Sequence, residues 1–242
     1  MLEPIERQSL SQAVYERLRD GIVSGELGSG TKLPSERQLS EALGVNRGAV
    51  REALKRLEQA RLVQIRQGGA ARILDYQAHA GLDLLSELLF AGGELDLRVA
   101  RSVVEMRAHL GPEIARRCGE RGGTAAADRL DAIVAGMRAD PDLDARQAAS
   151  LEFWDALVDG SGNVAYRLAY NSLRASYDGF RAALVQVLGD ELKSVDGFQA
   201  VADAVRAGDA EAAAARAAEL LARGAQGLST LFEALETFPG GE

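Results

Sequence analysis

Cysteine is almost absent from this chain. Cys118 stands alone, which excludes an internal disulfide and fits a reducing compartment; it reads as a small residue on a helix rather than a reactive thiol. Histidine is nearly as scarce, and His79 and His109 read as surface or capping residues rather than half of a metal site. Long apolar runs are missing too. No stretch approaches the ~18 consecutive residues of a membrane span, and even the Ala-rich segment 210–222 is broken by Glu211, Arg216 and Glu219. No apolar segment with basic flank and small-residue cleavage site stands near Met1, so no signal peptide is expected. Enzyme signatures are equally wanting: there is no nucleophile–His–acid set, phosphate loop, dinucleotide fingerprint or metal-ligand spacing. Gly160-Ser161-Gly162 lacks the flanking strand of a nucleophile elbow and reads as a helix-joining turn. These absences point to a soluble, cytoplasmic, non-catalytic chain with no membrane partner.

What is present is unevenly distributed. The net charge of −8 speaks against nucleic acid, but residues 1–76 hold 12 Lys/Arg to 10 Asp/Glu, whereas residues 77–242 hold 16 to 26. Within 46–72 the ratio is 7 to 2. A basic patch on an acidic protein is the footprint to look for, since phosphate contacts depend on the local field. Apolar residues, at 47%, suffice for a core in each of two small domains.

Texture changes near Tyr76. Before it, helical patterns give way to a short alternating stretch; beyond it, nearly everything reads as helix, over 80–90, 95–119, 124–138, 145–159, 163–188, 190–207 and 209–236. Glycine pairs and turns such as Gly122-Gly123 and Gly208-Asp209 punctuate these segments. The expected architecture is mainly α: a winged helix-turn-helix over 8–76, and an all-α bundle of about seven helices over 80–236.

The first domain carries the sharper pattern. Ala13, Val14, Leu18 and Ile22 fall at helical spacing on a first helix, about Leu10 to Ser24. Ser35 followed by Gln38 is a capping-box arrangement that starts a second helix, which Gly44 stops. Asn46 then caps a third helix over 47–59. The three-residue turn Gly44-Val45-Asn46 is what a helix-turn-helix requires. On a wheel, Val50, Ala53, Leu54 and Leu57 share one arc and Arg47, Arg51 and Lys55 an adjoining one. Gly48, on the exposed side, would let the backbone approach DNA closely. An isolated basic stripe is ordinarily a solvated face; the capped helix and short turn before it favour a recognition helix in the major groove. Arg61–Arg66 and Ala71–Leu74 then form a hairpin with a Gly-rich tip. That is a wing whose Arg66, Gln67 and Arg72 can reach phosphate or the minor groove.

The string Leu33-Pro-Ser-Glu-Arg-Gln-Leu, continued by Gly44-Val-Asn-Arg-Gly-Ala-Val-Arg-Glu-Ala-Leu and the Gly68-Gly69 wing, resembles the GntR family of bacterial regulators over essentially all of 8–76. The resemblance implies DNA contacts by Arg37, Arg47 and Arg51, beside Asn46, Gly48 and Lys55, with Gln67 and Gly68 at the wing tip. Where FadR-type members carry His-Gly-Lys, this chain has Gln67-Gly68-Gly69; Asn46 and Gly48 replace common hydroxyl residues. The helical region resembles the FadR-type subfamily through the Arg98–Arg117 helix with Glu105 and Arg107, and through Ser161-Gly162-Asn163 and Gly208-Asp209.

Most members of that group hold a divalent metal with an Asp and three His. Those positions fall here on Ser150, Trp154, Phe198 and Leu220, so no metal or other cofactor is expected. The resemblance then implies a small-molecule effector in an apolar interior. A long-chain fatty acyl-CoA is one reading, since each buried methylene contributes roughly 0.8 kcal/mol; a different apolar or carboxylate metabolite is another. The plain alternative is a solid core with no ligand, in an architectural DNA binder. Candidate liners are Trp154, Phe198, Leu220, Gly224 and Leu228, with Arg101, Arg107 or Tyr177 at a polar head. The mechanism implied is a homodimer on a palindromic operator, released when effector binds.

Overall fold

The computed structural model describes residues 9–65, 70–91, 95–178 and 181–237. They fall into two compact units, Met1–Asp96 and Leu97–Glu242.

In the first unit, α1 (Leu10–Val23) is capped by Ser9, whose hydroxyl accepts from the Gln12 N–H, and it buries Val14, Tyr15, Leu18 and Ile22. Helix α2 (Glu36–Leu43) begins with the complete capping box: Ser35 accepts from the Gln38 N–H, and the Gln38 side chain accepts from the Ser35 N–H at 3.0 Å. Gly44 ends it at φ +65°, a left-handed conformation that costs glycine little. Helix α3 (Arg47–Gln59) is capped by Asn46, whose Oδ1 accepts from the Ala49 N–H at 2.9 Å. Its Val50, Ala53 and Leu57 are wholly buried against α1 and α2. The chain leaves α3 through Arg61 at φ +57°, where the Leu62 N–H bonds Leu57 O and the Arg61 N–H bonds Glu58 O. This is a Schellman stop made with a side chain where glycine is usual.

Strands β1 (Val63–Gln64) and β2 (Arg72–Ile73) pair antiparallel in the register Val63↔Ile73. The segment before α2 lies on the other side of β2, through Leu33 N–H to Ala71 O at 2.8 Å and Ile73 N–H to Thr31 O at 2.9 Å. The hairpin therefore has a third extended partner around Lys32 that its own sequence does not announce. The wing tip, with Arg66, Gln67, Gly68 and Gly69, lies outside the described residues.

Where one helix is expected over 80–90, the structure has α4 (Tyr76–His79), a 3₁₀ turn at Leu82–Leu84 and α5 (Leu85–Leu88). These short pieces belong to the first unit rather than to a bundle starting at residue 80. Leu84 is buried in the winged core. Glu87 accepts from the Tyr15 hydroxyl at 2.6 Å and pairs with Arg19 at 3.2 Å.

The second unit comprises, among the described residues, eight helices: α6 (Leu97–Arg121), α7 (Gly123–Ala139), α8 (Leu143–Ser161), α9 (Val164–Asp178), α10 (Arg181–Val187), α11 (Gly189–Lys193), α12 (Val195–Arg206) and α13 (Ala210–Thr237). The single helix expected over 190–207 is interrupted at Ser194, which separates α11 from α12. The longest two helices, α6 and α13, run antiparallel. Arg101 meets Glu236, Gly111 lies against Leu221, and Gly119 lies against Ala210. Small residues on the facing stripes, Gly111 and Gly119 on α6 with Ala210 and Ala213 on α13, allow that close approach. Cys118 is buried beneath Gly122 and Gly160, and burial pushes its thiol up to about 11. A neutral, inaccessible thiol is a packing residue.

Candidate DNA interface and effector site

The surface of α3 is built by its own caps. With Ala49, Val50, Ala53, Leu54 and Leu57 fixed inward, Arg47, Gly48, Arg51 and Lys55 are left exposed on the outer face. Arg47 and Lys55 have no ion-pair partner among the described residues. Arg51 is held side-on by Glu36 of α2: Nε donates to Oε1 at 3.1 Å and Nη2 to Oε2 at 2.8 Å. That leaves the outer edge of the guanidinium available to a base or phosphate. The Arg51 hydrogen bonds hold the Glu36 carboxyl below its ordinary value, and the charge of Arg47 adds to this. Glu36 is therefore a carboxylate bonded to Arg51 and within the field of Arg47, which sequence reading did not single out.

Arg37, also exposed, pairs along its own helix with Glu41 at 2.8 Å. Asn46 has its side-chain oxygen committed to the cap. A Cβ on Gly48 would stand 3.1 Å from that oxygen, so glycine there protects the cap as well as leaving room outside. Arg72 of the wing donates from Nε to the Gly30 carbonyl at 3.0 Å. Gln67 and Gly68, the expected wing contacts, lie outside the described residues.

In the second unit, Trp154, Phe198 and Leu220 share one buried cluster, with Phe153 edge-on to Phe198 at 5.1 Å between ring centroids. The expected polar-head residues separate into two groups. Arg107 donates from Nη2 to Glu191 Oε1 at 2.5 Å. Tyr177 lies within the electrostatic reach of both Arg107 and Glu191, and burial pushes its hydroxyl up to about 12. Gly224 faces the same carboxylate: a Cβ there would collide with Glu191 Oε2 and crowd Leu188. Leu228, one turn further along α13, is buried. Arg101 stands apart from this group, paired with Glu236 at 2.9 Å and beside the Phe232 ring.

Two members of the cluster escaped sequence reading. Glu191 is wholly buried, and its carboxyl is pushed up by burial and pulled partly back by Arg107. Gln147, also wholly buried, donates from Nε2 to the Tyr177 hydroxyl at 2.7 Å and to the Arg181 carbonyl at 2.9 Å.

The divalent-metal site of most FadR-type regulators does not fit here. The four positions that the resemblance assigns to it, Ser150, Trp154, Phe198 and Leu220, are all buried; indole, phenyl and isobutyl groups offer no donor to a cation, and one hydroxyl cannot close a site. Among the described residues no group of three His, Cys, Asp or Glu is placed to hold a metal ion, and no helix is long and apolar enough to cross a membrane.

A capped helix-turn-helix with an exposed basic face, followed by a separate helical bundle, defines a two-unit DNA-binding regulator. Residues 10–73 match the model of the bacterial regulatory proteins of the gntR family, and residues 102–223 match the FCD domain. The chain is 41% identical over 220 residues to the HTH-type transcriptional regulator Mce2R of Mycobacterium tuberculosis, covering 91% of this chain and 92% of that one. It is 26% identical over 173 residues to a fatty acid metabolism regulator protein of Serratia proteamaculans, covering 72% and 71%. A GntR-family regulator structure from Pseudomonas syringae superposes with a TM-score of 0.50 at 20% identity, covering 96% of this chain and 89% of that one. The chain belongs to the GntR family of transcription regulators and carries an FCD domain.

Proposed function

We propose that this protein is a cytoplasmic, non-catalytic regulator that binds a palindromic operator as a homodimer and releases it when a small apolar effector occupies the bundle. The observation that carries the DNA-reading part is the outward set Arg47, Arg51 and Lys55 on the exposed face of α3, with Arg51 held by Glu36 of α2. Two such helices, one per protomer, would enter successive major grooves, with Arg47 and Arg51 on base edges and Arg37 and Arg72 on phosphates.

The effector part rests on the apolar interior that replaces the metal ligands, with Arg107 and Tyr177 at its polar end. A long-chain fatty acyl-CoA is the proposed effector, and no metal takes part. The likeness to a fatty acid metabolism regulator supports this reading, as does the apolar surface of Trp154, Phe198 and Leu220. Because linkage is reciprocal, effector weakens DNA binding by the factor by which DNA weakens effector binding.

The test is a fluorescence-anisotropy titration on an operator selected by the protein from random DNA, with and without long-chain acyl-CoA. Release of DNA by acyl-CoA, together with a rise in Tm, supports the reading. Tight DNA binding that no acyl-CoA alters would leave a DNA binder without this effector.

A further inference from the structure

The segment that follows the wing is held to the winged unit by more than apolar packing. Leu84 is buried in that unit's core and Leu88 packs against it, but such contacts have no direction. Direction comes from Glu87 of α5. Its Oε2 accepts from the Tyr15 hydroxyl at 2.6 Å and from Arg19 Nη1 at 3.2 Å, both on α1. Bonds to an ionised acceptor fix geometry as well as adding energy. Tyr15 is buried, and burial, joined by the bond to Glu87, raises its hydroxyl above the ordinary value, so it stays a donor.

The ring of the same tyrosine meets the recognition helix. Arg56, in the last turn of α3, places its guanidinium 4.1 Å from the ring centroid and donates from Nη1 to Gln12 Oε1 at 2.6 Å. Tyr15 therefore touches α5 through its hydroxyl and α3 through its ring. Arg56 belongs to the helix whose outer face carries Arg47, Arg51 and Lys55. Glu87 stands 72 positions from Tyr15, on the stretch of chain that leads to the second unit at Leu97. A buried hydroxyl needs an acceptor; here the acceptor comes from the connecting segment, not from the winged core.

From this junction we infer that Glu87 is a positioning residue for operator reading. Through Tyr15 it fixes the direction in which the chain leaves the winged unit relative to α3, and so sets the half-site spacing that the dimer accepts. This rests on the palindromic-operator reading above and adds to it a determinant of spacing outside the face that meets DNA. Each base pair added between half-sites moves one of them by about 3.4 Å and turns it by about 35°. A recognition helix held in one orientation accepts one spacing; a released one accepts several.

The test uses the full-length protein and an operator it selects from random DNA. The spacer between half-sites is kept, or changed by one and two base pairs in either direction, and a further duplex carries one half-site only. The wild type should prefer the selected spacing by about tenfold or more, and Glu87→Ala should reduce that preference to about threefold or less. Glu87→Ala should bind the single half-site as the wild type does. Glu87→Gln, which still offers Tyr15 an acceptor and loses only the charge facing Arg19, should keep most of the preference. Tyr15→Phe, which keeps the ring under Arg56 and removes the hydroxyl, should relax spacing in the same direction as Glu87→Ala.

An unchanged spacing preference in Glu87→Ala would overturn the positioning role and leave the palindromic reading intact. So would a single half-site weakened by the same factor as the operators, since that is what a general loss of structure produces. A wild type indifferent to spacing would overturn both.

Discussion

The two units each contain an Arg–Glu pair, and the pairs do opposite things. Arg51 and Glu36 are bound at 2.8 Å with side chains 62% and 36% exposed; Arg107 and Glu191 are bound at 2.5 Å with side chains 27% and 1% exposed. In water, the first pair contributes little to stability and holds the guanidinium in one orientation with its outer edge exposed. Out of water, the second is costly to form and more costly to break, because an unpaired buried carboxylate has lost its hydration. The same two residue types thus form an exposed pair on the face proposed to meet DNA in one unit and a polar point inside an apolar bundle in the other.

The largest effect should come from breaking the buried pair. Arg107→Ala should destabilise the helical unit by about 3–5 kcal/mol, toward the lower figure since Arg107 is partly exposed. Fluorescence of Trp154, the single tryptophan, reports unfolding of that unit alone; a loss below about 1 kcal/mol would erase the contrast between the pairs.

Next is the pH dependence of Glu191. Burial holds its carboxyl above the ordinary value despite Arg107, so the folded state keeps a proton that the unfolded chain releases. Its contribution is therefore complete below the unfolded value of about 4.3 and is lost as pH rises toward the folded one. The Trp154-reported urea midpoint should fall across that window for the wild type and fall less for Glu191→Gln; identical slopes would contradict the assignment.

The smallest effect on stability belongs to the exposed pair. Glu36→Ala should cost less than about 1 kcal/mol. It should nevertheless strengthen binding to random DNA and steepen its salt dependence by about one phosphate contact, as Arg51 is freed to pair with backbone. A melting change with no change on DNA would move Glu36 from aiming to packing.

Much of the winged unit was legible because its signals are local. Ser35 with Gln38, Gly44 and Asn46 each cap or stop a helix through atoms within a few residues, and all do so in the structure. The inward arc of α3 follows from its period alone. Long-range contacts were not legible. Residues 76–91 join the first unit through Leu84, and through Glu87 bonding to Tyr15 and Arg19 some seventy positions away. Lys32 pairs beside β2 with no strand pattern of its own.

In the bundle, Arg107, Tyr177 and Gly224 were picked out, but the residue that joins them was not. Glu191 sits on a five-residue helix among Asp190 and Lys193, where charge ordinarily means solvent. Only the Cβ-free surface of Gly224 lets its carboxylate fit, a correspondence thirty-three positions apart that no local period reveals. Arg101 shares the charge of Arg107 but lies nearer the start of α6, where Glu236 and Phe232 take it.

The central claim is that the outer face of α3 reads DNA. Its most direct test is the affinity of Arg47→Ala and Arg51→Ala for a selected operator and for random DNA at one salt concentration, with helicity and Tm checked for each variant. Each substitution should weaken operator binding by about 1–3 kcal/mol, roughly five- to 150-fold, and weaken random-DNA binding much less, with the melt unchanged. Operator affinity unchanged in both variants would contradict the account.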